Sequence, residues 1–321
     1  MEVATRWAKV RNGALGYHGA PASLQAKRLI SAAQLRRATT PAVSDAPHAV
    51  RLNFAGIVAQ LRTSECALAD ELRAKYSAHV ADEDAAFTYF VCESERGYSF
   101  WCAHDGAWEW CDGELPPDAL AFLTDAALLS AVVHADRNMR SIHAAALAYD
   151  GKGAIIAGDS TAGKTTTLLA CARSGMQIFS DERALMRGGM LHPFLRRCRV
   201  RGGGRALLLQ DDGDDTLARQ LRAGHNEINL AACFPSRVAG GPAPLKAVFV
   251  LHSLGTAPAV EPIEAAAALP AVSRWFDMRA DRLTRIATAL SLLSECACYR
   301  LTLGTPAQTA RTIRSVLEGL A

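Results

Sequence analysis

The segment AIIAGDSTAGKTTTLLA, Ala154 to Ala170, constrains this chain more than any other stretch. Gly158 and Gly163 stand five positions apart, with Lys164 and Thr165 directly after, so it fits G-x-x-x-x-G-K-[ST] without a mismatch. A polyphosphate must be wrapped by backbone N–H groups, and glycine lets the chain turn and approach closely enough. Lys164 then supplies a point charge for the β- and γ-phosphates, and the Thr165 hydroxyl a ligand for Mg²⁺. Gly158, Asp159, Ser160, Thr161, Ala162, Gly163, Lys164, Thr165 and Thr166 are therefore the candidate nucleotide-binding residues. The apolar run Ala154 to Ala157 suits a buried strand and Thr165 to Ala172 a helix, whose N-terminal dipole adds to the anion site.

The 321 residues suffice for a sizeable core and predict two domains. No apolar stretch approaches the ~20 residues of a membrane helix, and MEVATRWAKVRNG lacks the apolar core of a signal peptide, so the expectation is a soluble, cytoplasmic protein that does not act at a membrane. Nine cysteines, among them Cys92, Cys102, Cys111, Cys296 and Cys298, form no CxxC pair, which argues for reduced thiols and against a zinc site. A net charge of +3 does not point to nucleic acid. Charge does concentrate locally at Arg196, Arg197, Arg199, Arg201 and Arg205, around RGGG. These form either a solvated hairpin face or a basic wall beside the phosphates that could dock an acidic substrate segment.

Residues 1–48 read as a basic N-terminal segment and linker, with a helix expected over Leu24 to Arg37. Residues 49–135 read as a small α+β domain with a helix near Glu65 to Tyr76, then aromatic strands. Trp101, Trp108 and Trp110 are expected to form a core face there, with a peptide-binding groove as the alternative, and a helix running to about His134 to join the two units. Residues 136–321 carry the loop in an α/β layered core: strands before and after it, a hairpin at Gly188 and Gly189, a buried strand in LKAVFVLHSL, and a closing helix from Pro306 with Thr305 as N-cap. DDGDD, Asp211 to Asp215, reads as an exposed turn.

Seventeen residues beyond Lys164, IFSDERAL delivers Asp181 and Glu182 at a strand end. A helix of about ten residues returns the chain across the sheet, so this strand ends on the phosphate side. One acid can then hold Mg²⁺ while the other accepts a proton from an attacking hydroxyl. His143, expected on the strand before the loop, is a third candidate.

The stretch IHAAALAYDGKGAIIAGDSTAGKTTTLLACARSGMQIFSDERAL resembles the kinase core of HPr kinase/phosphorylase and its wider HPr-kinase-like family. CYRLTLGTPAQTARTIRSVLEGL resembles, more loosely, the closing strand and helix of that group. The resemblance implies a compact P-loop core shared with phosphoenolpyruvate carboxykinases. It also implies ATP and Mg²⁺ as cofactors, catalytic roles for Asp181, His143 and Lys164, and metal-site roles for Thr165 and Glu182. Related kinases are often oligomers, which leaves self-association open. The chain departs from the pattern at RCRVRGGG, which has no glutamate two residues before Arg201, and at Thr161-Ala162, where a glycine is usual. Those departures separate it from the phosphorylase reaction and from HPr. Related kinases also lie beside peptide-modifying pathways, including lasso-peptide precursor kinases that phosphorylate a serine. The expected reaction is thus γ-phosphoryl transfer to a serine hydroxyl of a peptide or protein. A small-molecule kinase, a nucleotide hydrolase and a nucleotide-regulated binding module are the alternatives.

Overall fold

A computed structural model describes residues 34–37, 46–94, 97–104, 107–112, isolated positions from 124 to 136, and residues 138–210, 214–273 and 282–320. The chain divides into two compact units, Met1–Arg137 and Asn138–Ala321, with mixed α/β structure. No helix among the described residues is long and apolar enough to cross a membrane.

The first unit carries β1 (Gln34–Arg37), β2 (His48–Phe54), β3 (Ile57–Thr63), α1 (Cys66–Lys75), β4 (Phe87–Ser94), β5 (Gly97–His104) and β6 (Ala107–Asp112). Its sheet has the order β1-β6-β5-β4-β3-β2. Only β3 and β4 pair in parallel, because α1 provides the crossover that parallel strands need. Period-two patterning sets the inner face: Val50, Leu52 and Phe54 are buried on β2, and Ala69, Leu72 and Tyr76 cover them. The helix expected over Leu24 to Arg37 is corrected at its end, where Gln34–Arg37 pairs antiparallel with β6. The rest of that stretch lies outside the described residues. QLRR has good helix propensity, but the edge of β6 offers it ladder hydrogen bonds, and tertiary pairing overrides propensity. Trp101 and Trp110 are register partners across β5 and β6; the core face expected of the tryptophan side chains lies outside what is described. In the helix expected to join the two units, Thr124, Leu128, Leu129, Val132 and Val133 are buried at helical spacing.

The second unit contains β7 (Arg140–Ile142), β8 (Ala145–Tyr149), β9 (Lys152–Ala157), α2 (Lys164–Arg173), β10 (Gln177–Ser180), β11 (Ala184–Arg187), β12 (Met190–His192) and β13 (Cys198–Arg199). It continues through α3 (Gly202–Leu209), α4 (Thr216–Arg222), β14 (Glu227–Ile228), α5 (Leu230–Cys233), β15 (Ala243–Leu254), β16 (Ala259–Pro262), α6 (Ala265–Ser273), α7 (Arg282–Ser294), β17 (Ala297–Leu303) and α8 (Pro306–Gly319). β15 pairs in parallel with β9 and β17, while β8 lies antiparallel between β9 and β10. The first residues of β15 also pair with β12, extending the sheet through β11 to β7.

The central strands read as apolar runs because both faces are covered. Ala145, Leu147, Ala154, Ile156, Ala247 and Phe249 pack with Leu168, Leu169, Ile313 and Leu317 of α2 and α8. Their alternates Ala146, Ala148, Ile155, Ala157 and Val248 pack with Val272 and Leu293 of α6 and α7. This partition makes a helix-sheet-helix sandwich. α8 begins as expected: Thr305 caps it, Gln308 completes the capping box, and Pro306 takes the first position.

One buried titratable group makes the first unit pH-sensitive. His79 stacks 4.3 Å from the Phe54 ring, and its Nδ1 lies 3.0 Å from the Asn53 carbonyl, which can only accept, so Nδ1 carries the proton of a neutral ring. Burial lowers its pKa from 6.5 to about 4, against the raising effect of that hydrogen bond. Between these values the unfolded chain binds the extra proton and the folded chain does not, so stability falls as pH drops from 6.5 toward 4, by roughly 3 kcal/mol in total. His79→Gln keeps a donor for Asn53 and removes the titration. Urea unfolding at pH 7 and pH 5 should therefore show a smaller acid loss in the variant; equal losses in both proteins would place the effect elsewhere.

Candidate functional site

The site forms where several strands end on one edge of the sheet. β9 runs directly into the loop; β15 and β17 are parallel to it, and two antiparallel steps give β10 the same direction. Open α/β sheets gather ligands at such carboxyl ends. Close packing explains both glycines: a Cβ at position 158 would lie 3.0 Å from Leu251 Cβ, and one at 163 would lie 2.9 Å from Leu303 Cδ1. Gly163 also has a φ of 105°, in the left-handed region that a side chain strains. β15 and β17 thus form the wall against which the loop is pressed.

Lys164 opens α2 and is 8% exposed, its Nζ 3.0 Å from the carbonyl oxygens of both Gly158 and Asp159. Burial lowers its pKa, while Asp181 and Asp159 oppose the shift and nearby Arg201 adds to it. Asp181, directly after β10, is also 8% exposed. It accepts a hydrogen bond from the Thr165 side chain, and its Oδ1 is buried with no partner. Burial raises the Asp181 pKa against the pull of Thr165, Arg196 and Lys164. A carboxylate with a raised pKa and one uncommitted oxygen is a better proton acceptor than a solvated one.

The two acids point to different partners. Glu182 ion-pairs with Arg196 and lies 3.9 Å from His143 Nδ1, whereas Asp181 faces Thr165 and Lys164. Neighbouring residues in extended chain face opposite ways, and here the bend after β10 does not bring both to one ligand. His143 lies in the break between β7 and β8, not on a strand as expected, because IHAAALAY folds as two strands with a bend at His143-Ala144. Burial lowers its pKa to about 3, aided by Lys164, Arg183 and Arg196, so the ring is neutral at ordinary pH.

Two arginines that the sequence offers as basic side chains near the phosphates, Arg183 and Arg196 of the later cluster, lie at the site. Arg183 is buried, with its N–H on Ser180 Oγ at 2.9 Å, and Arg196 closes over Glu182. The arginine cluster is not one wall: Arg205 binds the carbonyls of Gly224 and His225 and the Asn226 side chain. Behind the loop, α3 packs so closely that a Cβ at Gly204 would lie 2.5 Å from Thr166 Oγ1. Within DDGDD, Asp215 caps α4 and pairs with Arg173 at 2.7 Å, a structural use of the turn; residues 211–213 lie outside the described set.

The residues suit a magnesium ion bound with nucleotide. Such an ion takes one or two protein oxygens and completes its shell with phosphates and water. The Thr165 hydroxyl and the incompletely satisfied Asp181 carboxylate supply hard oxygens side by side. Glu182 is already engaged by a guanidinium.

No family model and no curated protein matches the chain. Among solved structures it is similar to the HPr(Ser) kinase/phosphatase from Coxiella burnetii, at 12% identity over 56% of this chain and 88% of that one, with a TM-score of 0.29. That score is too low to transfer a fold or a function, so the chemistry below rests on this chain's own residues.

The loop contains one strained residue. Thr161 has a φ of 73°, which a β-branched residue adopts only at a cost of order 1–3 kcal/mol. Thr161→Gly should raise stability by about 1 kcal/mol once the greater freedom of the unfolded chain is deducted. Thermal unfolding without nucleotide checks this; a lower midpoint would show that the threonine side chain contributes more than its backbone costs.

Proposed function

We propose that the second unit is a P-loop phosphotransferase of the HPr-kinase-like type. It moves the γ-phosphoryl group of ATP to a hydroxyl, with a serine of a peptide or protein as the leading acceptor. The observation that carries this reading is Asp181: a buried carboxylate beside Lys164 and Thr165, with Oδ1 uncommitted at the phosphate end of the sheet. A nucleotide-binding module needs the loop but has no use for an uncommitted proton acceptor there.

In this mechanism the loop amides of residues 158–165 cradle the phosphates and Lys164 neutralises charge on the β- and γ-groups. Thr165, with Asp181 reached through a bound water, would hold a magnesium ion, which would withdraw charge from the same oxygens. Asp181 Oδ1 takes the proton from the acceptor hydroxyl as its oxygen attacks the γ-phosphorus in line. The bond from that phosphorus to the β,γ-bridging oxygen breaks, and ADP leaves. Arg183 and Arg196 place positive charge around the site as negative charge develops. Neutral His143, held beside Glu182, orients rather than titrates.

The test is transfer of labelled γ-phosphate from Mg-ATP into a panel of peptides, proteins and metabolites. Asp181→Asn, which retains the shape and a partner for Thr165, should lower transfer about 10²- to 10⁴-fold with ATP affinity changed only a few-fold. Lys164→Met should instead lose ATP binding. Undiminished transfer by the Asp181 variant would remove that residue from the role. Label found only as free phosphate would make the protein a hydrolase, and label only on a metabolite a small-molecule kinase.

A further inference from the structure

The segment between β12 and α3 has two faces of opposite character. Cys198 and Val200 are buried in the core that also holds α2, while Arg199 and Arg201 are exposed and Arg197 is half-buried. The chain is extended here: Cys198 and Arg199 pair with Ile228 and Glu227, the Val200 N–H reaches the Asn226 carbonyl at 2.8 Å, and Arg201 has φ −83° and ψ 161°. Alternation therefore sends Arg199 and Arg201 to the same side about 7 Å apart, and Arg197 precedes them at the same spacing in sequence. None of the three side chains makes an ion pair or hydrogen bond among the described residues. Their neighbours account for the other charges: Arg196 is taken by Glu182, and Arg205 by the 224–226 turn. Glu227 is the register partner of Arg199, yet the two make no ion pair.

This row of arginines ends beside the phosphate-binding loop: Arg201 directly precedes α3, which packs so closely behind the loop that a Cβ at Gly204 would lie 2.5 Å from Thr166 Oγ1. We infer that Arg197, Arg199 and Arg201 form a docking track for an acidic peptide segment flanking the acceptor hydroxyl. An extended peptide repeats its side chains on one face at the same interval as the arginines, so carboxylates at alternate positions match them one to one. Guanidiniums pair well with carboxylates, and a row without interleaved aromatics lacks the stacking surfaces that single-stranded nucleic acid uses. The inference deepens the phosphotransferase reading and rests on it for the acceptor, while the binding surface itself can be measured without catalysis.

The experiment uses the full chain and two fluorescent serine peptides, identical except for glutamate or glutamine at alternate positions. Binding is followed by polarisation at low ionic strength, and transfer by labelled Mg-ATP. The glutamate peptide should bind about three- to tenfold more tightly, an advantage that shrinks as added salt screens exposed pairs. Arg199→Glu should abolish the preference and Arg199→Gln reduce it, both with unchanged ATP affinity, which also reports that they are folded. Equal binding of the two peptides to the parent protein overturns the track, and if transfer proceeds equally well on both, the phosphotransferase reading stands without it. Charge-selective binding that Arg199→Glu removes, with no transfer to any acceptor, supports the track and removes the phosphotransferase reading. An RNA oligonucleotide that displaces the glutamate peptide and binds more tightly overturns the peptide as occupant.

Discussion

A buried lysine needs compensation at every donor, and the fold of the second unit is arranged around that need. Lys164 has little water around it, so its ammonium must find oxygen within the protein. Two carbonyls of its own loop, at Gly158 and Asp159, supply it, and Asp181 supplies the opposing charge. Each requirement reaches into a different element. The carbonyls demand a loop curled tightly enough to place Thr161 and Gly163 at positive φ; the carboxylate demands that β10 end beside β9's end despite the intervening β8. The antiparallel insertion of β8 is what returns β10 to the direction of β9. The same polar balance that keeps the lysine folded inward also keeps the reacting groups within reach of one another.

What could be read from the sequence follows the range of the interactions. The strand, loop and helix around Lys164 were legible because glycine spacing, an apolar run and a helix start are local signals. The position of Asp181 was legible for a related reason: a ten-residue helix has a known length, so the next strand must end near the loop. His143 was misplaced because Ile-His-Ala-Ala-Ala-Leu-Ala contains no glycine or proline to mark the bend between β7 and β8. Gln34–Arg37 was misread because its pairing with β6, more than seventy residues away, overrides local propensity. Arg196 and Glu182 are likewise distant in sequence, and nothing in either local pattern announces the other.

The paired acids divide their work through backbone geometry. Asp181 turns inward and meets the helix start, whereas Glu182 turns to Arg196 and, beside it, to His143. A carboxylate this sheltered would cost free energy if left alone, so Arg196 is better described as a fastening than as spare charge. It ties the segment after β12 to the end of β10. Cys198 and Val200, buried in the α2 core, hold the same segment from its other face.

That double anchoring has a consequence for how an acceptor could be received. A basic segment free to move would attract an acidic peptide but lose much of the gain in ordering its own arginines. Here the backbone is already extended, fastened by Arg196 at one end and by the pairing of β13 with β14 along its length. Only the guanidinium rotamers remain to be fixed on binding. The exposed arginines are therefore presented from a preorganised base that adjoins α3, packed behind the loop, and in the proposed transfer contact along the row would also position the acceptor.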